Sequence, residues 1–365
     1  MNKRVPEIRF VGFSNDWEMY ALKDVVTNQI KGKAQFEKLH SGDVEYLDTS
    51  RLNGAQPVFT DGVKDVTRDD IIILWDGSKA GTVYIGYEGA LGSTLKGFRT
   101  KSYAQFVYQL LKKNQEYIYN NYRTPNIPHV QKDFLEVFKI TIPNIQEQQK
   151  IGSFFKQLDN LIDLHQRKLA LLKEQKKGFL QKMFPQDGAM VLEVRFAGFS
   201  GDWAMHKLGN LINVHSGRDY KHLNKGNVPV YGTGGYMTSV DEALSQEVDA
   251  IGIGRKGTID KPYILRAPFW TVDTLFFAIP ENGNDLNFIN SIFQQINWKQ
   301  YDESTGVPSL SKKTINQVQV IVPTSIEQQK IGAFFKKLDD VITFQERKLD
   351  LLKEQKKGFL QRMFV

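Results

Sequence analysis

The chain repeats itself, and the form of the repeat limits what it can fold into. Glu7-Ile8-Arg9-Phe10-Val11-Gly12-Phe13-Ser14-Asn15-Asp16-Trp17 returns as Glu193-Val194-Arg195-Phe196-Ala197-Gly198-Phe199-Ser200-Gly201-Asp202-Trp203, with eight of 11 positions identical at an offset of 186. Residues 147–184 then align without a gap to 327–364 at an offset of 180, with 28 of 38 positions identical. Self-similarity of this length means two copies of one structural unit. Each copy has a shared opening motif, a divergent middle of about 120 residues and a nearly invariant end. The chain therefore divides into domains at 1–146 and 185–326, each followed by a conserved segment, 147–184 and 327–365.

The invariant ends read as long helices. Pro143 precedes a capping box, Asn144-x-x-Glu147, and Pro323 precedes another, Thr324-x-x-Glu327. Apolar positions then recur at alternating steps of four and three. They include Phe155, Leu158, Ile162, Leu169 and Leu172 in the first copy and Phe335, Leu338, Ile342, Leu349 and Leu352 in the second. Steps averaging 3.5 residues define a coiled-coil seam. A 38-residue helix runs roughly 57 Å, more than one globular domain needs, so the two helices are expected to pair. Pairing is expected to be antiparallel, because the second copy starts about eight residues after the first helix ends. The seam also carries His165, Lys176, Gln345 and Lys356, which either set register or mark water-exposed ends of an imperfect seam. Pro185 and Val365 close the helices, and residues 186–189 read as a short linker.

The middles read as α+β. Residues 71–75, 83–85, 137–142, 250–253, 262–265 and 318–322 are β-branched or aromatic runs bounded by turn formers. Residues 102–120 and 285–299 carry helical spacing. The middles also echo each other. Gly77-Ser78-Lys79-Ala80-Gly81-Thr82 parallels Gly254-Arg255-Lys256-Gly257-Thr258 with one inserted alanine, and Gly92-Ser93-Thr94-Leu95 parallels Val272-Asp273-Thr274-Leu275. A glycine-flanked cation after a strand can offer backbone N–H groups and a charge to a phosphate, although a tight hairpin with an exposed lysine has the same sequence. Two aromatics, Tyr231 and Tyr236, bracket Thr233 in a glycine-rich loop, and Ser309, Lys312 and Lys313 lie in a hydroxyl-rich basic loop. Such loops suit phosphates and base edges, and equally suit ordinary turns.

Other chemistry finds little support. The chain has no cysteine, which excludes disulfides, zinc–thiolate sites, iron–sulfur clusters and a cysteine nucleophile. Gly252-Ile253-Gly254-Arg255-Lys256-Gly257 matches the dinucleotide fingerprint, but the residues that follow read as turn and strand where a helix should open. There is no P-loop motif and no paired-histidine spacing among the six histidines. No apolar run is long enough for a membrane span or a signal core, so a soluble, cytoplasmic protein is expected. The net charge of +7 suggests a polyanionic partner. Its distribution says otherwise. Residues 147–184 hold eight Lys/Arg against four Asp/Glu, residues 327–364 hold nine against six, and the two middles together net to zero. Any phosphate contact from the middles must come from local clusters.

The duplicated Arg-Phe-x-Gly-Phe-Ser-x-Asp-Trp motif and the twin Glu-Gln-Gln-Lys-Ile-Gly…Leu-Leu-Lys-Glu-Gln-Lys-Lys-Gly-Phe-Leu-Gln helices resemble the specificity subunit of type I restriction–modification enzymes, over essentially the whole chain. Tyr231-Gly232-Thr233-Gly234-Gly235, Gly254-Arg255-Lys256-Gly257-Thr258 and Gly306-Val307-Pro308-Ser309-Leu310 are also similar to family usage. The resemblance implies two target-recognition domains joined by an antiparallel pair of conserved helices, with a pseudo-two-fold internal repeat. Each domain would read half of an asymmetric, bipartite double-stranded DNA site, and the helices would set the separation at roughly 34–36 Å, one DNA turn. The helices would also dock two modification (methyltransferase) subunits, and restriction subunits would complete the assembly. S-adenosylmethionine, ATP and Mg would then belong to those partners, leaving this chain with no catalytic residue and no metal. The residues expected on DNA are Lys33, Arg51, Asn53, Lys79, Thr94 and Lys96 in the first domain, with Arg218, Tyr231, Thr233, Tyr236, Arg255, Lys256, Ser309, Lys312 and Lys313 in the second. On the residues alone, two other classes stay open: a DNA-modifying or cleaving enzyme with an unrecognised site, and a coiled-coil adaptor that binds only protein.

Overall fold

The Glu-Gln-Gln-Lys-Ile-Gly run that starts each long helix is an assembly joint, in which the glutamate, the first glutamine and the glycine each have a mechanical task. The computed structural model describes residues 5–126, 128–185 and 192–365, so the linker expected at 186–189 lies outside the described residues. The first long helix is Ile145–Lys182 and the second Ser325–Arg362. In the first, the Asn144 side chain caps the backbone N–H of Glu147 at 3.0 Å. The expected reciprocal half of the capping box is replaced: the Glu147 carboxylate instead accepts two bonds from Arg9, at 2.6 and 2.7 Å. Arg195 grips Glu327 in the same way, at 2.8 Å twice. A buried carboxylate needs a charged partner more than a helix terminus needs a second cap.

Gln148 donates to the Pro143 carbonyl (2.8 Å) and accepts from the backbone N–H of Tyr103 (3.1 Å), which begins the helix Ala104–Lys113. Gln328 repeats both bonds with Pro323 and Asp285, ahead of the helix Leu286–Gln295. The glycine completes the joint. A Cβ on Gly152 would lie 2.6 Å from the Tyr103 ring and 2.8 Å from the Phe106 nitrogen, and one on Gly332 would lie 1.9 Å from an Asp285 oxygen. Alanine inside a helix ordinarily gains about 1 kcal/mol over glycine. Gly152→Ala is expected to reverse that sign and lower the urea midpoint, whereas Gly178→Ala, in open space, should raise it.

The chain forms two compact units, residues 1–166 with 347–365 and residues 167–346. Within each unit the helices run antiparallel. In the first, Phe154 packs on Phe359 (5.2 Å between rings) and Asp159 pairs with Lys356 (2.5 Å). In the second, Lys173 pairs with Glu346 (2.6 Å), Lys176 with Asp339 (2.6 Å) and Phe179 packs on Phe334 (5.0 Å). Ascending numbers on one helix meet descending numbers on the other. Every named apolar seam residue is buried or half-buried, from Phe155, Leu158, Ile162, Leu169 and Leu172 to Phe335, Leu338, Ile342, Leu349 and Leu352. The seam lysines are ion-paired, and His165 and Gln345 are buried, so none is a water-exposed defect. The helices stop two residues earlier than the repeat suggests. Met183-Phe184 and Met363-Phe364 leave the helix because burial in the unit's core offers more than another helical turn. Phe364 lies 5.1 Å from Phe106 and 6.3 Å from Trp17, and Phe184 lies 5.4 Å from Phe288 and 5.9 Å from Trp203. The tryptophans of the opening motif are thus core anchors.

Each unit carries the same three sheets. An antiparallel sheet orders Val26–Lys31, Leu95–Thr100, Ile71–Leu74 and Val83–Tyr84, and its counterpart orders Ile212–Ser216, Leu275–Pro280, Ala250–Gly254 and Tyr263–Leu265. A three-stranded sheet places Ser41–Leu47 between Phe59–Thr60 and Ala90–Leu91, and its counterpart places Lys225–Gly232 between Gly235–Val240 and Trp270–Thr271. A two-stranded ribbon ties Glu18–Ala21 to Lys139–Ile142, and Ala204–Lys207 to Gln319–Val322. Among the described residues, no helix is long and apolar enough to cross a membrane.

Candidate nucleic-acid interface

In the second unit, the ends of three strands of the four-stranded sheet converge on one cleft of about 560 Å³. Arg255 and Lys256 follow Ala250–Gly254, Asp273 and Thr274 precede Leu275–Pro280, and Ser216 ends its own strand. Ser309 and Lys312 come from the hydroxyl-rich loop. Backbone bonds lace that loop to the turn: Leu310 N–H to the Arg255 carbonyl at 2.9 Å, and Gly257 N–H to the Pro308 carbonyl at 2.8 Å. The turn needs glycine, since Gly257 has φ +95°. Asp302 fixes the loop from its other side, accepting from the N–H groups of Ser309 (2.8 Å) and Ser304 (3.0 Å), which hold its carboxyl below the usual range.

The cleft wall carries three cations and a single carboxylate, a local excess that the net negative composition of residues 185–326 conceals. Burial, reinforced by Lys312, pushes His215, the residue before the cleft-lining Ser216, below its ordinary pKa. The arrangement can take a polyanion: backbone-anchored cations and hydroxyls at the open end of a rigid sheet.

Four sequence candidates, Arg255, Lys256, Ser309 and Lys312, therefore meet at one place. Thr233 sits at a hairpin tip beside them, 3.7 Å from where a Gly257 Cβ would lie. Tyr231 is half-buried against Tyr236 and Tyr263, while Tyr236 is exposed with its hydroxyl on Ser239. Arg218, exposed, bonds through its backbone to Thr271 and Trp270, and Lys313 faces solvent one residue beyond the cleft lining. Ser216, Thr274, Phe276 and Ser311 also line the cleft and were not among the candidates.

The first unit uses the same frame with different side chains. Trp75 and Asp76 donate to the Thr94 carbonyl, at 2.8 and 3.2 Å, as Arg255 and Lys256 do to Thr274. Gly77 N–H binds the Pro128 carbonyl at 2.8 Å, as Gly257 binds Pro308. The structural match is therefore Asp76-Gly77 with Lys256-Gly257, not the Lys79-containing alignment that glycine spacing suggests. Lys79 is exposed on the turn between Ile71–Leu74 and Val83–Tyr84, where the second unit has Ile259. Thr94 and Thr274 do correspond. Lys96 lies 3.4 Å over the Trp75 ring, and burial holds its ammonium below the ordinary lysine range, with Asp76 opposing and Lys31 adding to the shift. Arg51 and Asn53 are engaged in packing: Arg51 pairs with Glu45 and lies 5.5 Å over Tyr87, and Asn53 caps Thr49 and accepts from Tyr84. Lys33 is exposed beyond the strand Val26–Lys31.

The chain matches the family model described as type I restriction modification DNA specificity domain twice, over residues 14–174 and 200–354. It is 29% identical over 232 residues to the type I restriction enzyme MjaVIII specificity subunit of Methanocaldococcus jannaschii, covering 60% of this chain and 52% of that protein. A second M. jannaschii protein, named "Putative type I restriction enzyme MjaX specificity subunit", is 23% identical over 223 residues, 53% of this chain and 52% of its own. The chain thus spans about half the length of the curated relatives it matches. In fold it is similar to the S subunit of a type I restriction–modification system from M. genitalium, with a TM-score of 0.79, 19% identity and 99% of both chains covered. Two matched domains over most of the sequence place the chain plainly: it belongs to the family of type I restriction–modification DNA specificity domains.

Proposed function

We propose that this chain is the specificity subunit of a type I restriction–modification enzyme, reading an asymmetric, bipartite site on double-stranded DNA in the cytoplasm. One observation carries the reading. The two units share their frame, from the Arg–Glu clamp to nine of the ten helix-seam positions, yet differ in side chains at the same strand ends where Arg255, Lys256 and Lys312 gather. A constant frame suits two contacts with copies of one partner, and a variable tip suits two different half-sites. On this reading, two modification subunits bind the constant parts and restriction subunits join the assembly. S-adenosylmethionine, ATP and Mg are handled by those partners, and this chain contributes recognition and no bond-making step.

The test is a map of methylated bases in host DNA with and without the gene, expected to yield one gapped, asymmetric motif. Exchanging residues 20–142 for those of another family member should then rewrite one half of that motif and leave the other intact. Simultaneous change of both halves, or methyl transfer by the purified chain alone, would contradict the proposal.

A further inference from the structure

The two units hold a cation over an aromatic ring at the same place in the fold, but from opposite sides. In the first, the ring is Trp75, just past the strand Ile71–Leu74, and the cation is Lys96 on the neighbouring strand, 3.4 Å from the ring centroid. In the second, the ring is Phe276 on the neighbouring strand and the cation is Arg255, just past Ala250–Gly254, 5.8 Å away. Register makes these the same two positions: Lys96 faces Ile73 as Phe276 faces Ile253, and Trp75 and Arg255 bond to equivalent threonine carbonyls. Because side chains alternate along a strand, both members of each pair share one face of the sheet. The ring is buried in both units, at 7% exposure for Trp75 and 4% for Phe276. The cation is the outward member, and for Arg255 it lines the basic cleft.

A hydrophobic pair of equal size would pack here as well, so core stability alone does not require a cation. What the pair provides is a guanidinium or ammonium held in one orientation by a ring, its N–H groups still available. Among the described residues neither Lys96 nor Arg255 forms an ion pair within 4 Å, although Asp76 lies near enough to favour the Lys96 charge; Arg255 makes one long bond, 3.3 Å, to the Asp273 carbonyl. Preorganised arginine and lysine are the side chains that recognise O6 and N7 of guanine in the major groove. Trading sides moves the root of the cation between diagonal positions of an antiparallel pair, roughly 7–8 Å, or about two steps of 3.4 Å along a DNA strand.

Resting on the specificity-subunit reading, we propose that Lys96–Trp75 and Arg255–Phe276 are specificity-determining pairs, and that the strand supplying the cation selects which base pair of each half-site is read, with a guanine edge as its ligand.

The full chain, co-expressed with its modification subunits, tests this through the methylated motif. Trp75→Arg combined with Lys96→Phe installs the second unit's arrangement in the first. The expected result is a changed base identity at one or two neighbouring positions of one half-site, with the other half unchanged. An unchanged motif methylated to the wild-type extent would overturn the pairs as readers. A wild-type chain that yields no gapped motif would instead refute the specificity-subunit reading, which keeps the two failures apart. Should the double exchange not assemble, Lys96→Met and Arg255→Met leave both rings in place and decide the matter. Each should lower methylation of the original sites by roughly 5- to 100-fold and relax one position, in different halves of the motif. A uniform loss with no relaxed position marks a phosphate contact and overturns the proposal, as does relaxation of the same half by both variants.

Discussion

Replacing Arg9 with alanine is expected to cost the first unit about 3–5 kcal/mol, the penalty for leaving a buried charge without its partner. The Glu147 side chain has no exposed surface, and Glu327 has 2%. Each is held by both terminal oxygens, and each arginine also donates to a backbone carbonyl of its own motif, Asn15 or Gly201, at 2.7 Å. Lysine at position 9 cannot reproduce the fork and should recover only part of the loss. The double variant Arg9→Met/Glu147→Leu removes both charges and should lie much closer to wild type. Hydrogen exchange of peptides from Ala104–Lys113, which packs on this joint, reads the effect. A change below about 1 kcal/mol in Arg9→Ala would show that the clamp is dispensable.

The second large effect concerns the far end of the second helix. Phe364→Ala should destabilise the first unit by about 3–5 kcal/mol, since the ring contacts Trp17, Phe106 and Phe155 at 6.3, 5.1 and 5.6 Å between centroids. The same logic predicts the behaviour of fragments. Residues 5–166 alone should lack a cooperative melting transition and acquire one when residues 347–365 are supplied, as a peptide or by fusion. Residues 167–346, a contiguous unit, should melt cooperatively unaided. A sharp transition in 5–166 alone would count against the helix end as a required part of that core.

The long helices were legible because their pattern is strong: steps of four and three sustained over ten seam positions leave no competing period. The buried strands Ile71–Leu74 and Ala250–Gly254 were legible from short β-branched runs bounded by turn formers. Val26–Lys31 was not, because its Thr-Asn-Gln interior is exposed at a sheet edge and carries no apolar alternation. Leu275–Pro280 is a further strand, its signal a buried Leu-Phe-Phe-Ala run. The Arg9–Glu147 clamp spans 138 residues, beyond any local rule, and a capping box explained the glutamate too readily. Retention of arginine and glutamate together in both copies was the available clue. At the strand ends, glycine spacing aligned Lys79 with Lys256, while the backbone bonds align Asp76. The exchange of cation and ring between positions 75/96 and 255/276 was visible at the constant offset of 180 once the frame was known.

The interleaving of the first unit also sets an order in time. Trp17 cannot meet Phe364 until some 350 further residues have been made, which at about 5–20 residues per second takes roughly 20–70 s. Residues 167–346 face no such wait. Synthesis from the N-terminus normally lets the leading domain close first, and here the trailing unit closes first. The leading one stays open at its aromatic centre through most of translation, a period in which chaperone binding can determine whether the protein matures.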